Sequence, residues 1–142
     1  MDAPRTVGPP VLVVDDCPYL ADALALLLKW WGYPAAVAYD GPSALALASA
    51  DPPAAVLLDL GLPGMDGCDL AARLRRRPGM GEALLVALTG YGQEEDVRLC
   101  YEAGIDLHLL KPCGPEELRR VLDGRLAAQP TPSPAPAAPT RP

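Results

Sequence analysis

Asp15 and Asp16, Asp59, Thr89 and Lys111 stand out by type and by position, because each ends or directly follows a short apolar run. VLVV precedes Asp15, AAVLL precedes Asp59, ALLVAL precedes Thr89 and LHLL precedes Lys111. Runs of this kind form strands covered on both faces. Carboxylates are rarely buried without a partner, so three of them delivered to strand ends ask for a cation. Parallel strands would bring these ends to one edge, and open α/β sheets bind ligands outside that edge. Clustered carboxylates repel unless positive charge sits among them, and Lys111 supplies one such charge. Oxygen ligands, with a backbone carbonyl from the loop after Asp59, suit Mg²⁺ better than zinc or copper. The chemistry that fits is phosphoryl transfer onto a carboxylate, with Asp59 as nucleophile and Mg²⁺ and Lys111 neutralising the transferred group.

The elements that must position these groups alternate along the chain. Val11–Val14 reads as a first strand. Pro18 opens a helix in which Leu20, Leu24, Leu27, Leu28 and Trp31 recur at helical spacing, and Gly32 closes it. Ala35–Tyr39 is a weaker strand, and Gly41-Pro42 starts an Ala/Leu-rich helix that fades near Asp51. Ala54–Leu58 is the third strand, and Asp66–Arg77 a helix with Leu70 and Leu74 inward and arginines outward. Ala83–Leu88 is the fourth strand. Glu94–Ala103 reads as a helix capped by Gly104, and Leu107–Leu110 as the fifth strand. Pro115 starts a last helix, with Glu116 and Glu117 in its positive first turn and Leu118, Leu122 and Leu126 on its inner face. Five strand–helix units imply a parallel sheet with helices on both faces.

Composition bounds the alternatives. The 142 residues suffice for one domain with a real core, and half of them are hydrophobic. A net charge of −6 argues against non-specific binding to nucleic acid or anionic membrane. The four cysteines (Cys17, Cys68, Cys100, Cys113) lack metal-site spacing, and His108 is the sole histidine, so they read as reduced thiols of a cytoplasmic protein. MDAPRTVGPP has no apolar core of a signal peptide, and no stretch is long enough to span a membrane. Residues 1–9 read as a flexible lead and 10–128 as the domain. Residues 129–142, QPTPSPAPAAPTRP, read as a disordered or polyproline-like tail, an inert extension.

VLVVDD, LLDLGLPGMDG, ALTGYG and LLKP, in this order and at these intervals, resemble the receiver domain of two-component response regulators over about Val11–Leu126. The likeness is nearest to receivers of hybrid histidine kinases or stand-alone regulators. It implies a flavodoxin-like (βα)5 fold, a doubly wound parallel five-stranded sheet in the order 2-1-3-4-5. It makes Asp59 the phosphoacceptor for a sensor histidine kinase or histidine phosphotransfer protein. Asp15 and Asp16 would hold Mg²⁺ together with Asp59 and the backbone carbonyl of Gly61. Thr89 and Lys111 would take phosphoryl oxygens, and Pro112 permits a cis peptide after the lysine. Three residues before that lysine the family often carries Tyr or Phe, a switch aromatic; here the position is His108. The resemblance further implies a monomer or weak dimer acting on a downstream protein partner, with no direct nucleic-acid or membrane contact. It implies no enzymatic activity beyond its own phosphorylation and slow autodephosphorylation.

Plainer roles compete at several positions. Asp59 could be a strand-end cap or turn residue, Asp15 or Asp16 could cap the first helix, Thr89 could be a turn hydroxyl, and His108 could be a half-buried strand residue and no switch. Arg73, Arg75, Arg76 and Arg77 read as a solvated helix face. Trp30 and Trp31 cannot both point inward, so one should be exposed, where it could dock a partner. An aspartyl-phosphate phosphatase would want a second Asp two residues after Asp59, where Gly61 stands.

Overall fold

The computed structural model describes residues 8–60, 67–89, 102–110 and 114–126. Five strands, β1 (Val11–Val14), β2 (Ala35–Ala38), β3 (Ala55–Asp59), β4 (Leu84–Thr89) and β5 (Leu107–Leu110), form one parallel sheet in the order β2-β1-β3-β4-β5. The described helices are α1 (Pro18–Trp30), α2 (Gly41–Ala50), α3 (Gly67–Arg75) and α4 (Pro115–Leu126). This is the expected flavodoxin-like fold. Of the helix expected over Glu94–Ala103, Glu102 and Ala103 are helical and the remainder lies outside the described residues. The lead up to Val7 and the tail 129–142 also lie outside them.

Side chains alternate across a strand, so each apolar run feeds two cores. Leu12, Val14, Val56, Leu58, Leu85 and Ala87 pack under α2 and α3, against Ala44, Ala48, Leu70 and Leu74. Val11, Val13, Leu57, Val86 and Leu88 face the other way, onto Ala21 and Leu28 of α1 and Leu118, Leu122 and Leu126 of α4. Such a sheet has no wet face, which is why its strands read as unbroken apolar runs.

Local signals set the helix ends. Pro18 occupies the first turn of α1, and the backbone N–H of its N-cap, Cys17, donates to the Asp15 carboxylate at 3.0 Å. Asp40 caps α2 by accepting from Ser43 N–H at 2.7 Å, a bond that holds its carboxyl below the usual range. Gly32 follows α1 with φ 101°, a left-handed conformation that favours glycine. The inner face of α1 differs from expectation: Ala21, Ala25 and Leu28 are buried, whereas Leu20 is exposed. At 100° per residue positions 21, 25 and 28 share one side, and Leu20 falls on its flank.

α1 and α4 are latched together. The buried Tyr33 hydroxyl, just past α1, donates to the Asp123 carboxylate, and burial followed by that bond raises its pKa. Asp123 also meets Arg119 at 3.5 Å, and the Arg119 guanidinium sits 5.6 Å from the centre of the Trp31 ring. Trp31 is thereby half-buried and Trp30 exposed, the division expected for this pair.

One of the arginines expected on a solvated face is a staple instead. Arg75 donates to the carbonyls of Met80, Gly81 and Ala83 at 3.1, 3.1 and 2.7 Å, and to that of Gly104 at 2.6 Å. It also meets Asp106 at 2.9 Å, whose same oxygen accepts from Leu85 N–H at 2.9 Å. One planar guanidinium thus joins the end of α3 to the entrances of β4 and β5. Arg75→Ala should lower unfolding stability by about 2 kcal/mol, because several half-buried carbonyls lose their donor. Arg75→Lys should restore only part of that, since a point ammonium lacks the fork; urea midpoints of the three chains decide it.

Candidate functional site

The register of the sheet builds the site. β1 pairs with β3 so that Val14 lies opposite Leu58, and the next step in each chain is a carboxylate, Asp15 and Asp59. Asp15 N–H still donates to Ala38 carbonyl of β2 at 3.1 Å, so its backbone belongs to the sheet. β3 pairs Asp59 with Leu88 of β4, and β4 pairs Thr89 with Leu110 of β5. The C-terminal ends of four strands therefore share one edge, as the parallel arrangement requires.

Asp15, Asp16 and Asp59 converge there: one carboxylate oxygen from each lies within 4.8 Å of the others. Asp15 and Asp59 are buried and Asp16 is exposed. Asp15 both faces the cluster and accepts the Cys17 N–H, so the plain capping role and the site role coincide in one side chain. Oxygen donors in this number, with room on the exposed Asp16 side for water, fit a hard divalent cation such as Mg²⁺, which retains several waters.

Thr89 ends β4 at this edge. Gly61, Lys111 and Pro112 lie outside the described residues, while Leu110, immediately before Lys111, closes β5. His108 stands two residues earlier, level with Ala87 of β4. Both of its ring nitrogens are shut off from solvent, and burial holds its pKa below the ordinary histidine value.

Two features near the cluster escaped the sequence reading. A Cβ at Gly67 would sit 2.6 Å from Leu60 Cδ2 and 2.9 Å from Leu60 Cα, so the chain that leaves Asp59 returns almost onto its own departure point. Only glycine permits that approach; the signal was the Gly placed where α3 begins. Beside it, Cys68 is disulfide-bonded, whereas Cys17 is free. The expectation of four reduced thiols is corrected at Cys68. Spatial approach of two sulfurs, which sequence spacing does not reveal, decides the pairing.

A surface recess of about 480 Å³ lies at the opposite edge, around Arg75, Glu82, Asp106 and Arg125. Arg75 and Asp106 are already engaged with backbone there, so the converging carboxylates mark the better site.

Mg²⁺ should raise the thermal midpoint in a concentration-dependent way, as any ligand of the folded state does. Asp16→Asn should abolish that rise and raise the metal-free midpoint, because it removes one of three mutually repelling carboxylates; calorimetry with chelator and with Mg²⁺ tests both. His108 gives a pH signature. Its depressed pKa means the unfolded chain binds the proton more readily, so its contribution is intact above pH ~6.5 and lost as pH falls below that value. His108→Phe should therefore flatten the fall of the urea midpoint between pH 7 and 5, relative to the parent chain.

The response regulator receiver domain family matches residues 11–123. The DNA-binding response regulator MtrA of Mycolicibacterium smegmatis is 41% identical over 116 residues, 82% of this chain and 50% of MtrA. This chain therefore spans about half the length of that relative. A 14.6 kDa protein encoded beside sodA1 in Leptolyngbya boryana is 38% identical over 113 residues, 79% of this chain and 86% of that protein. Among solved structures, the receiver domain of a sensor histidine kinase from Pseudomonas aeruginosa superposes with a TM-score of 0.77 at 28% identity. It covers 86% of this chain and 100% of that one, and it carries a magnesium ion coordinated in its active-site cleft.

Proposed function

Because the chain belongs to the response regulator receiver family, we propose that Asp59 accepts a phosphoryl group from the phosphohistidine of a sensor histidine kinase or histidine phosphotransfer protein. The observation that carries this reading is the meeting of Asp15, Asp16 and Asp59 oxygens within 4.8 Å. An Asp59 carboxylate oxygen attacks the phosphorus, the P–N bond breaks, and the imidazole leaves with the electron pair. The product is an acyl phosphate on the end of β3. Asp15, Asp16, Asp59 and the Gly61 carbonyl would hold Mg²⁺, which when bound neutralises phosphoryl oxygens. Lys111 pairs with one of those oxygens and Thr89 donates a hydrogen bond to another.

Phosphorylation takes the Asp59 side chain from one negative charge to nearly two and adds acceptor oxygens. Thr89 and Lys111 respond, and His108, behind Leu109 and Leu110 on β5, is the position through which the change reaches the outer surface. The consequence is altered binding of a protein partner or onward relay, with no turnover of an outside substrate beyond the domain's own phosphorylation and slow autodephosphorylation. The 86% coverage of the Leptolyngbya protein supports reading the chain as a stand-alone regulator, which we take to be monomeric or weakly dimeric. The net charge of −6 favours protein partners over nucleic acid for this domain. Among the described residues no helix is long and apolar enough to cross a membrane. We place the protein in the cytoplasm, in keeping with its family.

Intact mass after incubation with acetyl phosphate tests the acceptor. A Mg²⁺-dependent phosphoryl adduct is expected on the parent chain and not on Asp59→Asn. An adduct that survives in Asp59→Asn would move the acceptor elsewhere. A parent chain that binds Mg²⁺ yet takes no adduct would leave a binding module in place of a phosphoacceptor.

A further inference from the structure

α1, PYLADALALLLKW, is apolar on two sides. Ala21, Ala25 and Leu28 are buried against the sheet. Tyr19, Ala23, Leu26 and Trp30 follow one another at intervals of four, three and four residues. At 100° per residue they lie within about 60° of one another, on the side that faces away from the sheet. All four are exposed, Tyr19, Leu26 and Trp30 by 86%, 68% and 73%. Exposed apolar residues are ordinary singly, but a stripe of them along a whole helix marks a contact surface. Spacing of four and three is that of the a/d seam of a coiled coil, a seam closed by a second helix.

The flanks of the seam select that helix. In the heptad it sets, Asp22 and Lys29 both occupy position g, and Leu20 and Leu27 both occupy position e. When two such helices run antiparallel about a two-fold axis, g meets g and e meets e. Asp22 of each then faces Lys29 of the other, offset by about 3 Å along the axis, within the reach of a lysine. Leu20 faces Leu27 in the same way. The seam closes in that register, with Tyr19 opposite Trp30 and Ala23 opposite Leu26, a small side chain leaving space for a large one. In a parallel pair g meets e, so Asp22 would face Leu27 and no charge pair would form. α1 is thus complementary to itself, and in one orientation.

Charged groups border both flanks. Beyond the e flank, Arg119 and Asp123 of α4 are exposed, and they are engaged with one another at 3.5 Å. Arg119 also lies over Trp31, and Asp123 accepts from Tyr33. On the g flank the Tyr39 hydroxyl donates to one Asp22 oxygen at 2.6 Å, which steadies that carboxylate without neutralising it. A helix of 13 residues is about 20 Å long, so the face it offers belongs with small interfaces, below about 1,200 Å². Each helix is already held by its own domain, so little ordering opposes the contact. The association is therefore weak and concentration-dependent.

We propose that two copies of this chain associate through the outer faces of α1, antiparallel about a two-fold axis, with Asp22 of each facing Lys29 of the other. The contact uses none of the phosphoryl-transfer residues, so Asp59→Asn should dimerise as the parent does. Sedimentation equilibrium of the full chain from about 10 µM to about 1 mM should show a reversible dimer. Lys29→Asp and Asp22→Lys each set like charges face to face and should weaken it several-fold. Asp22→Lys combined with Lys29→Asp recreates both pairs and should bring it back toward the parent. Leu26→Glu, at an exposed position, should abolish it, and circular dichroism checks the fold of each variant. If Leu26→Glu unfolds, the charge reversals decide alone. A parent that stays monomeric throughout would overturn the proposal, as would a dimer indifferent to Leu26→Glu, which would lie on another face. Single reversals without effect, or a double reversal no better than either single one, would overturn the antiparallel pairing.

Discussion

Three carboxylates with oxygens within 4.8 Å of one another repel one another, most strongly between the buried Asp15 and Asp59. That repulsion is the constraint to which the rest of the structure answers. Side chains on loops would relax it by swinging apart. Here Asp59 is the last residue of a strand buried along its length, and the Asp15 backbone is bonded into the sheet through Ala38. The apolar runs behind them, covered by two cores, cannot shift without opening well-packed aliphatic contacts. The sheet thus holds charge in a concentrated arrangement that attracts a cation, and the cation would in turn offset the charge of an incoming phosphoryl group.

The same logic explains why the fold and the heart of the site were legible from residues alone. A strand buried on both faces has to be an uninterrupted apolar run, and a carboxylate at its end is conspicuous against that background. Parallel order then forces the ends together, so Asp15, Asp16 and Asp59 could be grouped before any coordinates. The inner leucines of α4 and the exposure of Trp30 follow from helical period in the same way.

What stayed hidden depended on approach in space. Arg75 looks like its neighbours Arg73, Arg76 and Arg77 until the turns at Met80–Ala83 and Gly104–Asp106 are seen to aim their carbonyls at it. Gly67 looks like any loop glycine until Leu60 fills the place of its Cβ. Cys68 gave no spacing signal, because its sulfur partner is brought to it by folding alone. Leu20 was misplaced by one step of the helical wheel, where an exposed flank and a buried one differ by a single residue. Each miss is a long-range contact or a boundary, the information that periodicity does not carry.

The latch between Tyr33 and Asp123 joins positions 90 residues apart. α1 is among the first elements synthesised and α4 the last, yet they share one core face, with Leu28 and Leu122 in the same cluster. On a ribosome, this side of the sheet is covered only in part, by α1, until residues 115–126 emerge, whereas α2 and α3 on the opposite face are already made. High contact order of this kind slows the final docking step and prolongs exposure of apolar surface. A chain stalled before Pro115 would thus be a client for chaperones on one face and nearly native on the other.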